Sequence, residues 1–170
     1  EFPMVSKIKV EFAVQKIPTD RVKPFGTADA LFQTMDQIEY LKNSSFCVCN
    51  SDNLYSTSSL KLIRNSEYDN AVLAYDRDSL NFPKERVSSF SILMTNQDFN
   101  LVNFIEKPTE DQVNHNLDKN GKIRVSMNLL KFDGEKSYIY FNNCTINKKR
   151  NEKEIPDVIK KMINEGRINI

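Results

Sequence analysis

From Lys7 to Gln15 the chain reads KIKVEFAVQ, apolar and polar positions alternating with the period of a strand. The next stretch, Ile17 to Phe25, carries two prolines and predicts a loop. Then the period changes. Leu31, Met35, Ile38 and Leu41 recur at steps of four and three, which predicts a helix from Thr27 to about Lys42. Phe46 to Cys49 is an apolar run too continuous for a half-exposed strand, and predicts a buried strand of a parallel sheet. After NSDNLY, Ser56 or Thr57 is placed to cap a helix carrying Leu60 and Ile63.

Further along, Ala71 to Tyr75 predicts a strand. Phe90–Thr95 and Leu101–Glu106, separated by NQDFN, predict an antiparallel hairpin. A polar excursion from Pro108 to Lys122 follows, with a turn signal at Asn120-Gly121. Arg124 to Phe132 predicts a strand, and Ser137 to Phe141 fits either another strand or the end of a helix. The last element, Glu152 to Gly166, places Ile155, Val158, Ile159, Met162 and Ile163 on one helical face, with Gly166 at its C-cap. Helices and strands alternate in the first half and hairpins interrupt the second, so the expectation is one α/β domain with a mixed sheet. In such folds ligands gather beyond the carboxyl ends of strands.

Composition narrows this picture little. The 170 residues suit one domain, and 39% hydrophobic with 28% charged residues is a folding composition rather than a disordered one. A net charge of +1 and no long basic tract argue against a nucleic-acid partner, and Lys148–Lys149–Arg150 reads as a solvated loop. No apolar stretch reaches the roughly 18 residues a membrane helix needs, and EFPMVSKIKVEF lacks the features of a secretory signal. A cytoplasmic protein with no membrane partner is the expectation. Cys47 and Cys49 would share one face of their strand, but their spacing is tighter than CxxC and the chain has one histidine. Together with Cys144 they are expected to be buried thiols in a reducing compartment.

Candidate chemistry collects where elements end. Asp52 directly follows a strand, where a short carboxylate can face a ligand crevice and offer a hard oxygen to magnesium. An Asx-turn would use the same residue, and Asn53 is balanced between those roles. Ser51 has only its small size to recommend it. The chain has four glycines, and Gly26 sits at the strand-to-helix boundary, where a missing Cβ permits a left-handed turn or close approach to a flat ligand. Thr27 suits either a ligand or the N-cap of the helix, and Asp29 suits that helix's dipole. His115, among asparagines in the excursion, reads as a loop residue, and no Ser-His-Asp arrangement is present.

Three stretches, PFGTADAL (Pro24–Leu31), FCVCNSDNLY (Phe46–Tyr55) and LVNFIEKP (Leu101–Pro108), together resemble the sugar-phosphate nucleotidylyltransferase family. VSMNLLKFD (Val125–Asp133) and EKEIPDVIKKMINEG (Glu152–Gly166) follow in the family's order. The resemblance implies a Rossmann-like, GT-A-like nucleotide-binding domain with a mixed, mainly parallel sheet flanked by helices. It implies transfer of a nucleotidyl group from a nucleoside triphosphate to a sugar 1-phosphate, with Mg²⁺ as cofactor and a homo-oligomer compatible with the family. By the same resemblance Asp52 holds the catalytic metal, Gly26 and Thr27 lie beside the base, and Gln15 reads its edge. Glu106 binds sugar hydroxyls, and Lys107 meets the phosphate as a mobile point charge. Asn128 stands where the family has a glycine against the sugar; asparagine tolerates a left-handed conformation and offers an amide to a hydroxyl.

Two family features are absent, a glycine-rich loop with an arginine before this sequence and a second metal aspartate after it. The resemblance therefore implies the central part of a catalytic domain, residues 1–170, with 108–122 as an excursion inside it. Two other functions carry the same residues: a GT-A-type glycosyltransferase, which commonly needs two closely spaced carboxylates where SDN has one, and a nucleotide sensor without turnover.

Overall fold

The computed structural model describes residues 8–165. Lys7, at the head of the expected first strand, and Gly166, the expected C-cap, lie outside them. In chain order the elements are α1 (Thr27–Gln37), β1 (Ser45–Val48), α2 (Thr57–Arg64), β2 (Ala71–Asp76), α3 (Lys84–Ser88), β3 (Ile92–Thr95), β4 (Leu101–Ile105), α4 (Glu110–Asn114), β5 (Arg124–Asp133), α5 (Gly134–Asn142) and α6 (Ile155–Asn164). Short 3₁₀ turns follow α1 and β2.

β5 is the hub of the sheet. Leu130 pairs with Val48 of β1 and with Val72 of β2, so the second half of β5 is flanked on both sides. Val125 pairs with Tyr75 of β2 and Ile92 of β3, so its first half is central too. β3 in turn carries β4. The open α/β fold is as expected, but every one of these ladders is antiparallel, which corrects the mainly parallel pairing. The physical reason is the placement of β5: β1, β2 and β3 run in one direction, and the reversed β5 stands against all three.

The sheet's alternation sorts the helices. Leu130 and Phe132 point into the main core, where they meet Met35 of α1, Phe141 of α5 and Val158, Ile159 and Met162 of α6. The rings of Phe132 and Phe141 meet edge to face at 5.1 Å. On the opposite face, Lys131 Nζ donates to the carbonyl of Ser66, just beyond α2. The domain is thus a sheet between α1, α5 and α6 on one side and α2 on the other. Ser56 caps α2 as expected, accepting from Ser59 N–H.

Three local expectations change, and one left open is decided. The Lys7–Gln15 alternation does not become a strand among the described residues. Near its end the backbone is held by side chains of α1: Gln37 bonds both N–H and C=O of Val14, and Gln33 does so for Lys16 just beyond the segment, all at 2.8–3.1 Å. At these two residues the glutamines take the place of a neighbouring strand. β1 alternates between exposed and half-buried residues, so Cys47 and Cys49 are exposed and only Cys144 is buried. Ser137–Phe141 is helical, because Asp133 caps α5 by accepting from Lys136 N–H at 2.9 Å.

The polar excursion also holds a helix, α4, with Thr109 and Gln112 forming a capping box. The excursion is closed by Asp118. Its carboxylate accepts from the N–H groups of Asn120 and Lys122 and from Arg124 Nε. Burial pushes this carboxyl up, but the Lys122 N–H, Arg124 and the Asn120 N–H together hold it below the usual carboxylate range. The fold therefore favours the ionised form. Its contribution is present above the unfolded value of about 3.9 and lost as pH falls through the lower folded value. Protection of the Asn120 and Lys122 amides against hydrogen exchange should accordingly fade together below about pH 4. Asp118→Asn should remove that pH dependence.

Candidate functional site

The sheet brings two expected site segments together, the Asp52 turn and Asn128, and ends β4 just before the third, Glu106–Lys107. From Val48, paired with Leu130, the chain leaves β1 and turns back along β5 toward Met127. The turn carrying Asp52 is fastened there, by Asn53 Nδ2 at 3.3 Å and Tyr55 Oη at 2.7 Å, both donating to the carbonyl of Met127. Across the sheet, Val125, Ile92 and Ile105 lie in one row. β4 and β5 run in the same direction, and Glu106 and Lys107 directly follow the end of β4 at Ile105.

Asp52 is exposed, and its carboxylate has no hydrogen-bond or ion-pair partner among the described residues. Asn53, by contrast, is spent on holding the turn. Asn128 is also exposed although its neighbours in β5 are buried. It sits at an irregularity in the β2 pairing with φ of 57°, and its N–H donates to Ser126 Oγ. The left-handed conformation that a glycine would take at no cost is therefore adopted here by asparagine.

Glu106 has the parity of Phe104 and turns toward α6, where Lys160 Nζ lies 3.8 Å from its carboxylate. Lys107 is exposed with φ of 46°. Both border an open basin of about 1190 Å³ that also gathers Lys148, Lys149, Arg150, Lys160 and Lys161. Sequence reading missed this. The basic trio at 148–150 is a wall of the same basin as Glu106 and Lys107, and only the packing of α6 against β4 reveals it. Beside it, burial pushes the Glu154 carboxyl up and nearby Glu152 adds to the effect, while Arg150, at 3.2 Å, opposes it. Two of the four described non-glycine residues with positive φ, Lys107 and Asn128, fall in these segments. Such strain collects where function constrains the backbone.

Gln15, Gly26, Thr27 and Asp29 form a second group, at the start of α1. Gln15 Nε2 donates to Gly26 O at 3.1 Å and to the buried Asp29 carboxylate at 2.9 Å, which Gln33 also bonds. Gly26 occupies the N-cap position with φ of 100° and ψ of 176°, and a Cβ there would run into the backbone of Lys153. The close approach its missing side chain permits is to the protein's own chain. Thr27 does not cap α1; its hydroxyl accepts from Ile155 N–H at 3.1 Å, capping α6 instead. Lys153 N–H donates to Phe25 O and Ala28 N–H to Lys153 O, so the starts of α1 and α6 are stitched together. Among the described residues no hydrogen bond or ion pair joins Asp52 to this group or to Lys107.

His115 stands apart, its ring against Asp111 at the end of α4. A mostly apolar cleft of about 710 Å³ between α2, β2 and the β3–β4 hairpin contains none of the expected site residues. Among the described residues no three His, Cys, Asp or Glu side chains gather as a metal cluster, and no helix is long and apolar enough to cross a membrane.

The fold is an open α/β domain with an acidic turn beside a left-handed asparagine of β5 and a basic basin at the end of β4. Comparison with known proteins gives the family: the sequence model of the nucleotidyl transferase family matches residues 2–169, and the chain belongs to that family. It is similar to a glucose-1-phosphate adenylyltransferase of Photobacterium profundum, 29% identical over 84 residues, covering 49% of this chain and 20% of that protein. It is also similar to a UDP-glucose pyrophosphorylase crystallised with UDP-glucose, with a TM-score of 0.58 and 16% identity over 87% of this chain and 53% of the other. That likeness is one of fold. The chain thus spans about half the length of the pyrophosphorylase, and the stretch matched in the adenylyltransferase is shorter still.

Proposed function

We propose that the protein transfers a nucleotidyl group from a nucleoside triphosphate to a sugar 1-phosphate, giving a nucleoside diphosphate sugar and pyrophosphate. A phosphate oxygen of the sugar phosphate attacks the α-phosphorus of the triphosphate in line. The bond from that phosphorus to the oxygen bridging toward the β-phosphate breaks, and the electron pair leaves with pyrophosphate. What supports this reading is an unpartnered carboxylate, Asp52, on a turn fastened beside left-handed Asn128, in a chain of this family whose Glu106 and Lys107 border a basin rich in cations.

Each residue has a role in that reading. Lys107, with the cations of the basin behind it, holds the sugar phosphate and balances its charge. Glu106 and Asn128 hold sugar hydroxyls. The turn at Gly26 and Thr27, with Gln15 beside it, forms the base side of the site. Asp52 fits a magnesium ion, because one free carboxylate with phosphates and water is a coordination that ion commonly takes. Bound there, magnesium would supply neutralisation of the triphosphate charge. The adenylyltransferase and the pyrophosphorylase are both named for glucosyl compounds but for different bases. A glucosyl phosphate is therefore the first acceptor to try, with every base.

The test is pyrophosphate release by the full-length protein given each nucleoside triphosphate, glucose 1-phosphate and magnesium. Release with at least one triphosphate is expected. Binding of triphosphate without release would point to a sensor, and glycosyl transfer from a nucleotide sugar to a glycosyltransferase; either sinks the proposal. Lys107→Ala should raise the KM for the sugar phosphate by about tenfold or more, the scale of a lost charged contact, and leave the KM for the triphosphate within about twofold.

A further inference from the structure

One hydroxyl joins the two sides of this site. Tyr55 Oη donates to Met127 O at 2.7 Å, with Asn128 O at 3.4 Å sharing the same proton. It accepts from Asn53 Nδ2 at 3.2 Å and from the backbone N–H of Asn50 at 3.3 Å. These donors stand on either side of Asp52 in sequence, and the acceptors are the carbonyls at the bulge of β5. Tyr55 itself is half-buried. We infer that Tyr55 is a positioning residue whose hydroxyl sets the Asp52 turn against left-handed Asn128, fixing the carboxylate relative to the residue that faces the sugar. What that pair binds rests on the transfer reading above; the mechanical link does not.

The physical need for such a link is plain at both ends. Asp52 is presented by a turn and has no partner of its own among the described residues, so its carrier must be rigid if the carboxylate is to meet a phosphate-bound ion in one place. Asn128 holds a strained backbone conformation that persists only when neighbouring contacts enforce it. An aromatic ring without its hydroxyl would fill the same space and perform neither task. Tyr55→Phe therefore isolates the inference from simple packing.

In the full-length protein, Tyr55→Phe should speed amide exchange in segments 50–55 and 126–129 together, by about tenfold or more, with the remaining core unchanged. In turnover it should lower kcat about tenfold, raise the KM for the sugar phosphate, and raise the magnesium concentration giving half-maximal rate. Exchange that is unchanged, or faster in one segment alone, overturns the link. Kinetics within about twofold of the parent overturns the positioning role. If the parent protein releases no pyrophosphate, the transfer reading fails while the exchange experiment still decides the link.

Discussion

Asp52→Asn should lower kcat/KM for pyrophosphate release by about 10³-fold, the scale of losing one preorganised charge at a phosphoryl centre. The substitution keeps the size of the side chain and removes its charge. Because the Asp52 carboxylate is exposed and partnered by no described residue, little of the fold depends on it. The melting temperature should therefore stay within about 2 °C of the parent. Raising magnesium should not restore the rate, since asparagine offers a neutral oxygen where the ion favours a carboxylate. Asp52→Glu is the informative companion. It retains the charge but moves it by one methylene, and should recover only a small part of the loss if position matters as well as charge. A variant at Asp52 with unaltered turnover would remove the acid from the site altogether.

Such a residue was legible in the sequence because it ends an apolar run, and β1 does end just before it. Periodicity located most elements for the same reason: Met35, Ile63 and Val158 are buried where their helical spacing placed them. The failures are also physical. KIKVEFAVQ has the alternation of a strand, but alternation describes a conformation and not a partner, and at Val14 it is Gln37 of a helix that bonds the backbone. The direction of pairing was misread because an apolar run at Phe46–Cys49 fits any central strand, and nothing local announces that a reversed β5 lies beside it. α5 followed an N-cap, Asp133, that could be seen in FDGEK, and α4 followed the capping box TEDQ. Both signals were present and short. The basic basin had no sequence signal, because residues 107 and 148–150 meet only through the packing of α6.

Gly26→Ala is the second large effect, and it reads stability before chemistry. With φ of 100° and ψ of 176°, Gly26 occupies backbone space essentially reserved for glycine, so any side chain there costs about 1–3 kcal/mol. The added methyl also meets the Lys153 backbone, which cannot swing aside as a side-chain tip could. Lys153 is tied to Phe25 and Ala28 by two hydrogen bonds of 2.8 and 3.0 Å, so moving it strains both the start of α1 and the entry to α6. Overpacking adds a similar cost, for a total of about 3 kcal/mol or more and a fall in melting temperature of about 10 °C. The expectation is checked by thermal unfolding without any nucleotide, where a base-contacting role would leave no trace. Nucleotide affinity, measured by calorimetry well below the transition, then isolates the other role. If affinity falls more than the stability loss can explain, Gly26 also lies against the base; if the melting temperature is unchanged, the stitching of α1 to α6 does not depend on this glycine.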